Sequence, residues 1–410
     1  MTMIATAAAP TRWFLPFAVT LVAMFALQLS NLGFSPLLPS IQQEFGMSYT
    51  QLGTFTGMYG LLAMILSVPA GVSARYFGER RVLALGLLGV AAGSLLLGEA
   101  WSAESAIAFR GLTIFGYRFA FVSVLIAVAL TAPASLRGRT MGIVGATSSL
   151  ASVIGAPLGG LLVREFTWRD AIVGYAGMAA LGAVLFWLLY EPAPDSSPNP
   201  RDGHGSGIRS GSALVSPVVW TLALIVGLGG FGQFTVTYFV PSVAQAMYGL
   251  DAASAGVIIS TGYLTAIVVN LAVGVLVDRF NKVAVLGGVF VLLAIASASM
   301  TVDHLLTFRV ATATVIGFGF TAANQLYGLA GSLMPRHEAG NAMGVVSLGA
   351  GLFGFLGPQL VGILRDRTGS FAAGFWMVAI ADVLTLGLLV MLYRMTRRRP
   401  LAPASSFGVR

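Results

Sequence analysis

The amino-acid sequence predicts an all-α integral membrane protein whose twelve transmembrane helices form two pseudo-symmetric six-helix bundles. Three observations carry that expectation. Of 410 residues, 57% are hydrophobic and 9% charged, with a mean hydropathy of +0.86, too little polar material to cover a water-soluble globule of this length. The apolar residues gather into twelve runs of roughly 20 residues, each about one bilayer crossing. The second half of the chain also repeats features of the first in the same order.

The first run, 13–32, follows a short tail carrying only Arg12. It is long enough to span, unlike the shorter apolar core of a cleavable signal, and we expect it to be retained. Spans two and three, 52–72 and 82–98, flank the basic loop GVSARYFGERR. Span four, 105–130, contains Arg110 and Arg118, and spans five and six cover 140–163 and 171–190. Residues 191–213 are rich in Pro, Gly, Ser and charge, which predicts a flexible cytoplasmic linker between a first bundle, 1–190, and a second, 214–393. The second bundle holds spans at 214–240, 252–277, 283–300, 305–332, 342–364 and 372–393, and a basic cytoplasmic tail occupies 394–410.

Loop charge orients these spans. With the N-terminus inside, Arg12, Arg75, Arg80, Arg81, Arg137, Arg139, Arg201, Arg209, Arg279, Lys282, Arg336 and the arginines of the tail are cytoplasmic, while only Arg164, Arg169, Arg365 and Arg367 face outward. The positive-inside rule therefore puts both termini in the cytoplasm, and the compact chain with arginine-heavy usage and a single lysine leads us to expect a bacterial inner membrane. The basic residues form short runs between apolar segments, not one continuous face, so nucleic acid is not an expected partner. Cysteine is absent, and the three histidines, His204, His304 and His337, are scattered through loops. Neither a metal site nor a general base beside a nucleophile is expected, and no phosphate-cradling glycine-lysine loop is present. We expect no enzyme activity and no cofactor.

The internal repeat is the most informative pattern. RGRTMG at 137–142 matches AGNAMG at 339–344, and Phe109 and Arg110 recur as Phe308 and Arg309. GAPLGG at 155–160 matches LGPQLVG at 356–362, pairing Pro157 with Pro358, and GVSARYFGERR parallels GVLVDRFNK at 274–282. All four matches lie about 200 residues apart. With these motifs the chain resembles the major facilitator superfamily over nearly its whole length. Residues 71–81 look like that family's loop between its second and third helices, and 274–282 like its second copy. Phe166 to Arg169 resembles the tryptophan and arginine before its sixth helix. DRTGSFAAG, at 366–374, is similar to a loop in its organic-anion and monocarboxylate branches. The resemblance implies that substrate is held between the bundles at mid-membrane and moved by alternating access.

The family's loop carries an acid where this chain has Arg75, although the second copy keeps Asp278. We expect either a charge-swapped cytoplasmic latch, with Arg75 facing Glu338 and Asp278 facing Arg139, or simply one more positive-inside residue at Arg75. The resemblance implies a structural or proton-linked role for Arg110, with Arg309 as its repeat partner.

Arg118 lies outside that motif. On a helix it is rotated by about 80° from Arg110, while Thr113 and Tyr117 line up with Arg110. An arginine at mid-membrane is expensive and usually functional, and a guanidinium fork fits an oxyanion. The alternative is a buried arginine satisfied by carbonyls, Tyr117 or Asp382. Around it, the substrate-binding candidates are Tyr117, the helical pairs Gln28 with Asn31 and Gln233 with Thr237, then Tyr238, Tyr263, Asn324 and Tyr327. Each of these could equally be helix-to-helix glue.

Spans one, four, seven and ten, which the resemblance implies line the cavity, carry arginine and no evident carboxylate. Ser148, Ser152, Ala156 and Gly160 make a small-residue ridge, with Ser152 and Ala156 standing where the family's exporters have glycine. We therefore expect a monomeric secondary active transporter of a small anionic, carboxylate-type solute, with a proton as a candidate co-substrate. A proton-coupled exporter of drugs or other amphipathic solutes, or a non-transporting receptor or scaffold, would be the alternatives.

Overall fold

A computed structural model describes residues 13–132, 136–191, 216–333 and 339–397. Among these residues all regular structure is helical, and twelve helices are long and apolar enough to cross a membrane. Helix α1 spans Phe14–Leu32 and is followed by a 3-10 turn, Ser35–Leu37, and the short α2, Leu38–Phe45. The remaining helices of the first half are α3 (Tyr49–Phe77), α4 (Glu79–Gly98), α5 (Ala103–Thr131), α6 (Arg137–Glu165) and α7 (Trp168–Leu189). Those of the second are α8 (Pro217–Tyr248), α9 (Ala252–Arg279), α10 (Lys282–Ser299), α11 (Leu305–Leu333), α12 (Ala339–Thr368) and α13 (Ala372–Arg397). Most of the expected linker, 192–213, and the tail from 398 onward lie outside the described residues.

Helix ends are set by local chemistry as well as by hydropathy. Ser102 accepts from the Ser105 amide at 3.2 Å while the Ser105 hydroxyl accepts from the Ser102 amide at 3.0 Å, a reciprocal cap that starts α5. Thr167 and Asp170 do the same for α7, and the Asn281 side chain accepts from the Val283 amide at 2.9 Å to start α10. Between α3 and α4 the chain turns at Gly78 with φ +83°, a left-handed conformation that glycine adopts without strain.

Two departures from the expected spans involve proline. Span seven was expected to stop at 240, but α8 runs on through Pro241 to Tyr248. A single missing N–H can be tolerated where neighbouring helices surround the segment. Conversely, Pro36 and Pro39 sit in the first turns of the 3-10 element and α2, where a missing N–H costs no helical bond, and the helical path runs on beyond α1 to Phe45. That extension is apolar and packed: Leu37, Leu38 and Ile41 are fully buried.

The protein divides into two compact units that do not follow chain order. One takes the described parts of Met1–Met47, Ile65–Asp202 and Ala244–Ser260; the other takes those of Ser48–Met64, Gly203–Val243 and Thr261–Arg410. Helices α3, α8 and α9 are thus shared out at residues 65, 244 and 261.

In the first unit, α4 and α5 pack backbone against backbone. A Cβ at Gly93 would lie 2.6 Å from the Thr113 amide nitrogen, and one at Gly116 would lie 2.6 Å from that of Val90. Close approach of this kind is a common source of cohesion between helices in lipid. We expect Gly93→Leu to force these helices apart and cost about 1–3 kcal/mol, read as earlier loss of monodisperse protein on heating in detergent. In the second unit, Leu222 and Ile225 of α8, Phe290 and Leu293 of α10, Leu326 of α11 and Leu389 of α13 form a continuous apolar core.

Candidate functional site

The first unit gathers its polar side chains where α1 meets α5. Arg110 is 2% exposed; it donates through Nη2 to Asn31 Oδ1 at 3.2 Å, and its guanidinium lies 4.2 Å from the centre of the Phe34 ring. Together with Ser30, Asn31, Val90, Thr113, Ile114 and Tyr117 it lines a space too narrow for a water molecule. Such an arginine holds two helices together and is poorly placed to receive a solute. Two turns further along, the Tyr117 hydroxyl donates to Gln28 Oε1, and the Tyr117 ring stacks on Phe121.

Arg118 follows immediately and occupies a different face of α5. It is 9% exposed and sits about 22 Å along a helix about 43 Å long, near the middle of α5. Asp382, one expected neighbour for this arginine, accepts instead from Ser297 of the second unit at 3.2 Å.

The second unit has its own polar set. Gln233, Thr237 and Tyr238 of α8 and Tyr263 of α9 are all buried, and the Tyr263 hydroxyl sits against the Thr237 and Gln233 side chains. Phe320 of α11 lies edge-on to the Tyr263 ring at 6.1 Å. On α11, Asn324 is exposed and Tyr327 half-buried.

The repeat pairing of Phe109–Arg110 with Phe308–Arg309 does not hold in burial. Arg110 is buried, whereas in α11 Phe308 is buried and Arg309 exposed. Neighbouring residues on a helix are turned by 100°, so Phe308 and Arg309 cannot both face inward, and in α11 the phenylalanine is the one that does. Of the four latch residues, Arg75 and Arg139 are exposed near helix ends. Glu338 and the side chain of Asp278 lie outside the described residues.

Two polar clusters were not anticipated. In the first unit, Arg169 donates to Glu44, Gly98 O and Ala100 O and lies 4.5 Å over the Trp168 ring, while Trp168 also donates to Glu44. This ties α2, α4 and α7 together and uses an arginine that topology alone places outside.

In the second unit, Asp366 caps the first turn of α3. Its carboxylate accepts from the Tyr49 amide at 2.9 Å, the Thr50 amide at 2.8 Å and the Thr50 hydroxyl at 2.6 Å. Arg365 stacks over Tyr49 and Phe371 beside it. A carboxylate at a helix N-terminus satisfies orphan amides and meets the positive end of the helix dipole. Asp366→Ala is expected to cost roughly 2 kcal/mol and lower the unfolding temperature, with Asp366→Asn recovering part of the loss; an unchanged unfolding temperature for the alanine variant would show the cap to be idle.

The start of α9 is capped from within. Asp251 accepts from the Ser254 amide at 2.9 Å, and hydrogen bonding with Ser254 holds its carboxyl below the usual range, with Arg164 adding to the effect.

The sequence model of the Major Facilitator Superfamily matches residues 20–358 and 248–408. A protein of Staphylococcus epidermidis named Probable nitrate transporter NarT is 23% identical over 366 residues, covering 87% of this chain and 91% of its own. Another, named Probable sulfoacetate transporter SauU, from Cupriavidus necator, is 23% identical over 393 residues and 90% of each chain. Among solved structures, a bacterial homologue of the human lysosomal transporter Spinster matches with a TM-score of 0.81 and 15% identity, over 97% of this chain and 100% of that one.

Proposed function

The chain belongs to the Major Facilitator Superfamily, and from that premise we propose that it moves a small oxyanion such as nitrate or a short carboxylate by alternating access, with Arg118 as the counter-charge. The observation that carries this reading is a nearly buried guanidinium halfway along the fourth span. An arginine at that depth is retained at considerable cost, and its planar donors suit the geometry of nitrate, carboxylate and sulfonate alike. The names of two relatives, one a nitrate and the other a sulfoacetate transporter, support an anion as cargo. Tyr117 and Gln28, already hydrogen-bonded to each other, are the neutral partners we assign beside Arg118 in the first unit. Gln233, Thr237, Tyr238 and Tyr263 are the corresponding candidates in the second. Arg110 with Asn31 has the structural role.

The arginine bias of the loops supports both termini in the cytoplasm and an inner-membrane location. The test is uptake by the purified protein in proteoliposomes, comparing nitrate and a short carboxylate with an organic cation of similar size. Uptake of the anions alone is expected. Transport of the cation in their place would overturn the reading in favour of a drug-type exporter.

A further inference from the structure

Helix α13 carries one acid buried inside the protein, ten residues past Ala372, and the proposed transport site leaves it without a role. Asp382 is 2% exposed. Its one hydrogen bond among the described residues comes from the Ser297 hydroxyl of α10 at 3.2 Å, and it forms no ion pair there. Phe231 of α8 and Val378 and Ala381 of α13 make the surroundings apolar.

No charged group lies nearby on the helices packed against it. Helix α8 has no Asp, Glu, Lys, Arg or His, and its titratable side chains are Tyr238 and Tyr248. The charge of α10 is Lys282, at the far end of the helix from Ser297; Asp303 and His304 follow Ser297 by six and seven residues, in the segment beyond α10, and both are exposed. Arg365, Asp366 and Arg367 crowd the last turn of α12, where Arg365 and Asp366 engage Tyr49 and Thr50. On α13 itself Arg394 and Arg397 lie at least three turns away. An ionised carboxylate in such a place would give up far more hydration than one hydroxyl can return.

We propose that Asp382 is a proton-binding site, a neutral carboxylic acid in this state, whose release and recapture of a proton is linked to movement of α8. The link is geometric. A Cβ placed at Gly232 would lie 4.0 Å from Asp382 Oδ2 and 2.6 Å from Val378, so α13 rests directly on the α8 backbone. The next residue, Gln233, belongs to the polar set around Tyr263. When α8 shifts and water reaches the pair, the carboxyl O–H bond breaks, the proton passes to water and the electron pair stays on the carboxylate. Return of α8 expels that water and favours recapture. The protonation half of this proposal stands alone; the coupling half rests on the transport reading given above.

Infrared difference spectroscopy of the full chain in nanodiscs at neutral pH, native against Asp382→Asn, tests the first half. A protonated-carboxyl C=O band present in the native protein and missing from the variant is expected; carboxylate bands in its place would overturn the site. If Asp382→Asn fails to fold, Ser297→Ala decides, because loss of the hydroxyl shifts that same band only when Asp382 is the protonated group. The second half is read in proteoliposomes with nitrate. Acid outside is expected to accelerate native uptake, and Asp382→Asn to lose this acceleration while keeping nitrate exchange between the two sides. Acceleration that survives in the variant, or is missing from the native protein, overturns the coupling. If the native protein takes up no nitrate, the oxyanion reading falls, and the infrared band still decides where the proton sits.

Discussion

Arg118→Gln is expected to insert, fold and resist heat like the native protein while its initial rate of nitrate uptake falls about 10- to 150-fold. That range converts the roughly 1.5–3 kcal/mol of a hydrogen bond to a charged group into a rate or affinity ratio. Glutamine keeps most of the side-chain length and one donor group, so packing changes little and the loss isolates charge and fork. Arg118→Lys keeps the charge without the planar fork and should fall between the two. If both variants transport nitrate as the native protein does, the counter-charge lies elsewhere. The contrast within α5 makes this informative: Arg110, eight residues earlier, is engaged by Asn31 and Phe34, whereas Arg118 lies on another face.

Hydropathy made the twelve crossings legible, because each long apolar run must pair its backbone internally and only a helix does so within one segment. It could not show rotation. Transmembrane helices are apolar on most sides, so nothing in the pattern distinguishes the buried Arg110 from the exposed Arg309, although the surrounding dipeptides are alike.

Span length is hidden where proline intervenes. Hydropathy ends the seventh span at 240, yet α8 continues for seven residues past Pro241, and the segment carrying Pro36 and Pro39 extends the first span and packs Leu37, Leu38 and Ile41 inside. The polar ties at the helix ends were hidden for another reason. Glu44 meets Arg169 across 125 residues, and Asp366 meets Thr50 across 316. Each acid looks like an ordinary end-of-span charge until the fold brings its partner. The motifs DRTGSFAAG and Phe166 to Arg169 drew attention to the right segments, but only the coordinates supply Tyr49, Thr50 and Glu44 as their counterparts.

The second large effect should be structural. Arg110→Ala removes a side chain that packs on Phe34, donates to Asn31 and fills the junction of α1 with α5. Truncating a fully packed large side chain costs about 2–5 kcal/mol, and here a polar Asn31, itself 5% exposed, also loses a donor. The expected result is a sharp fall in monodisperse protein and in unfolding temperature. Any surviving folded fraction should bind nitrate with native affinity.

Asn31→Leu offers the complementary half of a double-mutant cycle. Because each single change already breaks the hydrogen bond they share, the pair together should cost less than the sum of the two alone. Additive losses would mean that Arg110 and Asn31 stabilise the protein independently. Native heat resistance in Arg110→Ala combined with abolished uptake would move Arg110 from the framework into the transport site, and the division of labour along α5 would have to be redrawn.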